Sequence, residues 1–212
     1  MSRWLWLVKW LLVIPHVIVL AFLLPAFFVL TVYAGVKIFL EGVYPRRVFD
    51  FNVGVMRWTW RVAYYSYSAL GTDAYPPFSL APDPDYPAGL EVDYPERLSR
   101  GLVLVKWWLL AIPQYIVVAI FANGGSFLGL PTVREHLYAF SGGLVGVLVL
   151  AAGILLLVTR QYPTPLFDVV MGMNRWVWRV WAYAALMRDE YPPFRFDAGG
   201  PDPADRIDPG AT

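Results

Sequence analysis

An apolar stretch over residues 4–40 limits what this chain can fold into more than any other feature. It contains no acidic residue and only two lysines, Lys9 and Lys37. A helix that spans a membrane needs roughly 20 apolar residues, so this stretch is too long for one straight span. We therefore predict a tight hairpin with one helix over about 4–23 and a second over about 25–40, starting at a proline that suits a first turn.

This hairpin would place Lys9 and Lys37 at the same depth, where each ammonium group can reach the lipid headgroups. The stretch is much longer than the apolar region of a signal peptide and ends without a cleavage pattern, so we expect it to stay in the membrane. In the second half, apolar segments at Leu102–Ala122 and Leu137–Thr159 predict another hairpin.

Composition also favours a membrane protein. Of the 212 residues, 58% are hydrophobic and 16% are charged, and the mean hydropathy is +0.50. Soluble domains have about a quarter charged residues. The net charge of +1 gives no sign of a nucleic-acid partner. The chain has no cysteine, which excludes disulfides, thiol catalysis and cysteine-ligated metals.

The two halves of the sequence carry the same motifs in the same order, which predicts an internal duplication. The second half has one extra residue between its lysine and its Ile-Pro pair. The matched motifs are Lys9-Trp10 and Lys106-Trp107, Tyr44-Pro45 and Tyr162-Pro163, Phe49-Asp50 and Phe167-Asp168, Arg57-Trp58 and Arg175-Trp176, and Tyr75-Pro76-Pro77-Phe78 and Tyr191-Pro192-Pro193-Phe194.

The duplication divides the chain into four segments. We predict repeat one at residues 3–78, a Pro- and Asp-rich linker at 79–99 with a short strand at 90–92, and repeat two at 100–196. The tail at 197–212 is rich in Gly, Pro and Asp, which predicts disorder.

These motifs resemble a family of prokaryotic integral membrane proteins grouped as domain of unknown function 4389. The resemblance runs from Lys9 to Phe194, and the Tyr-Pro-x-x-x-Phe-Asp and Arg-Trp-x-Trp-Arg motifs carry much of it. One departure is that residues 91–98, which precede the second copy, have no counterpart before the first. The resemblance implies a membrane location and no activity, so it assigns no catalytic residue.

A helix with one polar stripe is predicted after each hairpin, over residues 46–70 and 164–187. A proline precedes each helix, as is typical of a helix start. Positions i, i+4, i+7 and i+11 lie on one face of a helix. These positions hold Asp50, Gly54, Arg57 and Arg61 in the first helix, and Asp168, Gly172, Arg175 and Arg179 in the second.

The striped helices can be placed in two ways. Each can lie in the membrane interface with its stripe toward headgroups and water, where tryptophans are favoured. Each can instead span the bilayer and bury two arginines, at roughly 2.5–3.5 kcal/mol for each arginine. We expect the first placement. The predicted fold is thus an all-α membrane protein of two tandem repeats, each a transmembrane helical hairpin followed by an amphipathic interfacial helix.

The stripe and its tryptophans form the candidate site for function. We predict a non-enzymatic membrane platform that binds anionic lipid headgroups, a membrane-protein partner or a second copy of the chain. The alternative is a small transporter or channel in which the Asp/Arg sets of both repeats line a path. The candidate residues are Asp50, Arg57, Trp58, Trp60, Arg61, Asp168, Arg175, Trp176, Trp178 and Arg179.

The arginines predict the orientation of the chain in the membrane. Those at positions 3, 46, 47, 97, 100 and 160 flank the segment ends that lie away from the hairpin tips. Positive residues are enriched on the cytoplasmic side. We therefore predict a multi-pass protein of the inner (plasma) membrane with both termini in the cytoplasm.

Residues typical of catalysis are scarce in this sequence. Gln114 replaces His16 in the second half, so a shared metal or catalytic role is not expected, and His136 is predicted to be a solvated loop residue. The sequence contains no P-loop, zinc-protease or nucleophile-elbow motif. We therefore predict no catalytic residue, metal site or cofactor.

Overall fold

The computed structural model describes residues 2, 4–123 and 143–196, and the regular secondary structure of these residues is helical with no strand. The order is a 3-10 turn at Leu5–Leu7, then α1 (Lys9–Leu12), α2 (Ile14–Glu41), α3 (Arg46–Tyr65), α4 (Leu102–Val105), a π-helical turn (Lys106–Leu110), α5 (Ile112–Asn123), α6 (Leu144–Thr159) and α7 (Thr164–Ala184). The predicted helical fold class is therefore confirmed, whereas the strand predicted at 90–92 is wrong.

The predicted hairpin in the first apolar stretch is wrong, because α2 is one helix of 28 residues that passes through Pro25 without a turn. The residues around Pro25 include no Gly, Asn or Asp that would favour a tight turn. Proline costs a helix one hydrogen bond, which membrane helices tolerate where neighbouring groups or local adjustments satisfy the freed carbonyl oxygen. Lys9 and Lys37 consequently lie near opposite ends of a rod about 42 Å long.

The second predicted hairpin is also wrong, because α5 and α6 lie one after the other along α7. Gln114 and Phe121 of α5 contact Trp176 in the second half of α7. Val149 of α6 packs in one cluster with Val170, in the first half of α7. The lengths of α5 and α6, 12 and 16 residues, together match the 28 residues of α2.

The part of the chain between α5 and α6 falls mainly on residues 124–142, which lie outside the described residues. The predicted start of the second arm at Leu137 falls there as well. At the edges of this segment, the Gly143 N–H donates to the Ala122 carbonyl oxygen at 3.0 Å, which joins the two helices.

The helical hairpin of the first half is formed by α2 and α3, which pack antiparallel. Asn52 of α3 donates to the hydroxyl of Thr31 in the middle of α2, at 3.1 Å, and Trp58 contacts His16 near the start of α2. Gly42 ends α2 in the left-handed conformation at φ 76°, where glycine lacks the Cβ penalty. Pro45, in an extended conformation, then precedes α3.

The striped helices start where predicted but end earlier, at Tyr65 and Ala184. In each case a leucine with positive φ follows, Leu70 at 50° and Leu186 at 65°. The predicted helices, which ran to residues 70 and 187, thus include a tight turn in their last residues. The apolar side chains there gave no sequence signal for a turn. The tail at 197–212 lies outside the described residues.

The linker packs on α3. Leu80 and Leu90 join the hydrophobic clusters that contain Val55 and Trp60 of α3. The division of the chain at residues 3–78, 79–99 and 100–196 stays a prediction.

Among the described residues, α2 is the one helix that is long and apolar enough to cross a membrane. The segments Leu102–Leu110 and Ile112–Ala122 meet at a bend of 43° and would count as a second span if they form one broken helix. Most of α2 is uncovered: Phe22 is 75% exposed and Phe28 is 68% exposed. Residues of this kind are suited to contact with lipid.

Candidate functional site

The polar stripe of α3 divides into one exposed carboxylate and two buried arginines. Asp50 lies on the surface and pairs with Arg46, one turn earlier, at 3.1 Å. Arg57 is 9% exposed and Arg61 is fully buried. The structure therefore does not bring Asp50 together with Arg57 or Arg61.

Arg57 and Arg61 bind the backbone of the linker. Arg57 donates to the carbonyl oxygens of Leu80, at 2.8 Å, and Leu90, at 3.1 Å. Arg61 donates to those of Ser79, at 3.1 Å, and Ala81, at 2.9 Å. These four bonds, each to a charged donor, fasten the linker across α3.

The environment of Arg61 is unfavourable for a charge. Burial removes water from its guanidinium group and the charge of Arg57 repels it, while Asp83 and Tyr86 act in the opposite direction. Arginine nevertheless stays protonated in proteins. The bonds to the carbonyl oxygens compensate for part of the lost hydration.

Gly54 explains how the linker comes so close to α3. A Cβ built on Gly54 would lie 2.9 Å from the Cβ of Leu80 and 3.1 Å from its carbonyl oxygen. Any larger residue would push Leu80, and with it a carbonyl acceptor of Arg57, away from α3. The glycine of the stripe thus makes room for the polypeptide that covers it.

The predicted orientation of this stripe, toward headgroups and water, is wrong for Arg57 and Arg61. The sequence pattern shows which residues share a face but not what covers that face. Here the cover is the chain's own linker, which offers carbonyl oxygens within reach. Headgroup or partner binding by these residues stays a prediction that would require the linker to move.

The stripe of α7 is less completely covered. Asp168, Arg175 and Arg179 are half-buried. Arg179 donates to the carbonyl oxygen of Arg195 at 2.7 Å, so the segment after α7 takes the position that the linker has on α3.

The four candidate tryptophans pack inside the protein. Trp58, Trp60 and Trp176 are buried, and Trp178 is half-buried and stacks on Trp181. These tryptophans therefore do not face the headgroups from the surface of an interfacial helix, whereas their depth in the membrane stays a prediction. Trp60 and Trp178, which the sequence aligns with each other, contact edge to face at 5.6 Å.

His16 and Gln114 share a role that the sequence did not suggest. His16 Nδ1 accepts a hydrogen bond from the indole N–H of Trp58 at 3.0 Å. Gln114 Oε1 accepts from Trp176 at 2.7 Å, and its amide also donates to the carbonyl oxygen of Pro192. Both side chains are fully buried. The sequence signal for this shared role was that His16 and Gln114 occupy aligned positions in the two halves.

Two buried lysines form a second matched arrangement. Lys9 donates to the carbonyl oxygen of Thr72 and lies 3.5 Å from the carboxylate of Asp73. Lys106 contacts Asp189 at 2.9 Å. The prediction that Lys9 extends to the headgroups is therefore wrong, and Lys37 pairs with Glu41 on its own helix.

The aspartates that hold these lysines were missed, although a signal for them exists. Each lies two residues before a Tyr-Pro-Pro-Phe motif. Each also accepts a backbone N–H from a Ser-Arg pair, since Ser2 donates to Asp73 and Ser99 donates to Asp189.

The described residues offer little for small-molecule chemistry. They contain no group of three or more His, Asp or Glu side chains that could hold a metal ion. A shallow cavity of about 220 Å³ is lined by Gly71, Tyr162, Thr164 and Phe167, none of which belongs to the predicted site. Burial raises the pKa of Tyr162 to about 12, so its hydroxyl stays protonated at neutral pH.

Comparison with known proteins identifies a family and no activity. Residues 3–79 and 136–195 match the family model described as domain of unknown function (DUF4389). No curated protein and no solved structure matches the chain.

Proposed function

Because the chain belongs to the DUF4389 family, whose description states no activity, we propose its function from the geometry alone. It is a non-enzymatic integral membrane protein that offers a binding platform to lipid headgroups or to a membrane-protein partner or second copy. The observation that supports this most directly is α2, whose apolar side chains stay exposed along 28 residues. An exposed apolar surface of this length is stable in lipid and costly in water.

We also propose that the chain consists of two tandem repeats. The support comes from matched contacts: Trp58 with His16 and Trp176 with Gln114, and two Lys–Asp pairs. Each repeat consists of a long apolar helix and a striped helix that pack antiparallel to each other. The apolar helix is continuous in the first half and divided into two helices in the second half. This arrangement replaces the hairpin-plus-interfacial-helix architecture.

For location we propose a multi-pass protein of the inner membrane. The arginines favoured two cytoplasmic termini, but the contacts around α2 argue against that placement. Asp73 holds Ser2 near the start of α2, whereas Ser99 and Asp189 lie near its end, where the Leu98 N–H donates to the Gly42 carbonyl oxygen. A fully crossing α2 would put Ser2 and Asp189 on opposite sides.

Extraction of membranes at alkaline pH tests the anchoring. Wild-type protein is expected to stay in the membrane pellet, whereas Phe22→Lys with Phe28→Lys places two charges on the exposed face of α2 and should release a large fraction. A matched control, Asp85→Lys with Asp93→Lys, adds two lysines to exposed linker positions and should stay in the pellet. Wild-type protein in the supernatant would refute the proposal.

The transporter alternative is tested in liposomes. Trp60 and Trp178 meet between the two halves, and Asp50 is separated from Arg57. We therefore expect proton flux no greater than in empty liposomes. Flux that Asp50→Asn abolishes would favour a conduction role instead.

A further inference from the structure

A group of arginines that the predicted site did not include surrounds the α2–α3 corner. We define this corner as residues 42–47 together with linker residues 94–100. Two hydrogen bonds hold the linker there. The Leu98 N–H donates to the carbonyl oxygen of Gly42 at 2.9 Å, and the Tyr94 hydroxyl donates to the backbone carbonyl oxygen of Tyr44 at 2.5 Å.

The cations of the corner are exposed, in contrast to Arg57 and Arg61. Arg47, Arg97 and Arg100 lie on the surface, and none of them makes an ion pair among the described residues. Arg100 Nε lies 3.5 Å from the position of a Cβ on Gly42. The neighbouring Arg46 is already paired with Asp50 and stacks on Tyr94 at 4.5 Å.

Apolar side chains continue from the corner along the last turn of α2. Phe39, Leu40 and Val43 are each more than one third exposed. Since α2 is about 42 Å long and the hydrocarbon core of a bilayer is about 30 Å thick, one end of α2 can reach the headgroup layer. Arginines directly beyond an exposed apolar surface match the two parts of a phospholipid.

We infer that the α2–α3 corner binds the phosphate of an anionic phospholipid through Arg47, Arg97 and Arg100, with the acyl chains along Phe39 and Leu40. Guanidinium groups pair well with phosphate oxygens. The inference rests on the proposed membrane function and moves the headgroup site from the covered stripe to an open surface.

Lipid retention by the full chain tests this site. The protein is purified in detergent with equal phosphatidylglycerol and phosphatidylcholine, and bound lipid is counted by native mass spectrometry. Wild-type protein should prefer phosphatidylglycerol, and higher salt should weaken the preference. Each arginine near an anionic surface raises the binding affinity roughly fivefold. The triple variant Arg47→Gln with Arg97→Gln and Arg100→Gln should therefore reduce the preference for phosphatidylglycerol at least about tenfold.

Arg160→Gln is the control, because Arg160 is an exposed arginine in the left-handed cap of α6, at the position equivalent to Gly42. It should retain the wild-type preference. Inorganic phosphate should not displace the lipid, and displacement at millimolar phosphate would overturn the lipid assignment. A triple variant that still prefers phosphatidylglycerol would overturn the site itself. That result would leave the proposed function standing, whereas extraction of wild-type protein at alkaline pH would remove both.

Discussion

Arg57 and Arg61 act as fasteners in this structure, since they hold the linker against α3 through four carbonyl oxygens. Two arginines on the face of a membrane-associated helix suggest a surface for anionic headgroups. Buried guanidinium groups, however, bind whatever oxygen atoms the fold provides, and here the linker provides them. This role makes the linker an integral part of the first half of the protein.

Removal of one fastener should loosen the linker. Arg61→Ala removes two hydrogen bonds from a charged donor, each worth about 1.5–3 kcal/mol. The open population of the linker should therefore rise at least about tenfold. The rate of cleavage after Glu91 by a glutamate-specific protease measures this population.

Arg47→Ala serves as the control, because Arg47 is exposed and contacts no linker carbonyl among the described residues. Its cleavage rate should equal that of wild-type protein. Circular dichroism should show unchanged helix content in both variants. If a folded Arg61→Ala protein is cleaved no faster than wild type, the fastening role is wrong.

At the scale of one residue, the sequence predicted which side chains share a face but not their partners. The spacing of Asp50, Arg57 and Arg61 describes one helix and carries no information about the linker. The matched His16 and Gln114 could have been found, because each directly follows an Ile-Pro pair in its half and both can accept a hydrogen bond. Histidine and glutamine are different residue types, but here both side chains act as hydrogen-bond acceptors.

At the scale of the elements, the second half absorbs its one extra residue as a π-helical turn. The first half has Lys9-Trp10-Leu11-Leu12, whereas the second has Lys106-Trp107-Trp108-Leu109-Leu110. The Ala111 N–H donates to the Lys106 carbonyl oxygen at 3.0 Å, a bond across five residues. Such a turn lengthens a helix locally and keeps the residues on both sides in register.

We predict that deletion of Trp108 is tolerated. Trp108 is half exposed, and its loss should convert the π-helical turn to ordinary helix while Lys106 still meets Asp189 and Gln114 still meets Trp176. The thermal unfolding midpoint in detergent should fall by only a few degrees. Deletion of Ala152, buried in the middle of α6, is the comparison and should prevent folding. Equal loss of folded protein in the two deletions would contradict the prediction.

The sequence predicted the helices better than the connections between them. The prolines located the starts of α3 and α7 to the residue, whereas the predicted ends lie several residues too far along the chain. The first hairpin failed because bilayer thickness was used to divide a stretch that contains no turn residue around Pro25. Pro25 lies at the position of α2 that aligns with the junction between α5 and α6. At this position the helix is continuous in the first half and divided into two helices in the second half.

At the scale of the whole molecule, the two halves pack in opposite directions. Trp60 meets its counterpart Trp178, and Phe27 of α2 meets Trp181 of α7. The two Lys–Asp pairs consequently lie at opposite ends of α2. The recurring motifs predict two similar halves, but the relative direction of the halves depends on these aromatic contacts, which no sequence pattern revealed.

The charged residues differ between the two ends of α2. Arg47, Arg97 and Arg100 lie at its C-terminal end, whereas the start of α2 has the buried pair of Lys9 and Asp73. A membrane-crossing α2 would therefore place Arg47, Arg97 and Arg100 together on one side of the membrane. By the positive-inside rule the α2–α3 corner would be the cytoplasmic one.

The central claim, that α2 crosses the bilayer, is tested most directly by labelling of single cysteines in this cysteine-free chain. Ser2→Cys lies near the start of α2, and Asp93→Cys lies in the exposed linker near its end. A membrane-impermeant maleimide applied to intact cells should label Ser2→Cys and leave Asp93→Cys unlabelled, and permeabilisation should make both reactive. Labelling of both positions in intact cells, or of neither, would contradict a membrane-crossing α2.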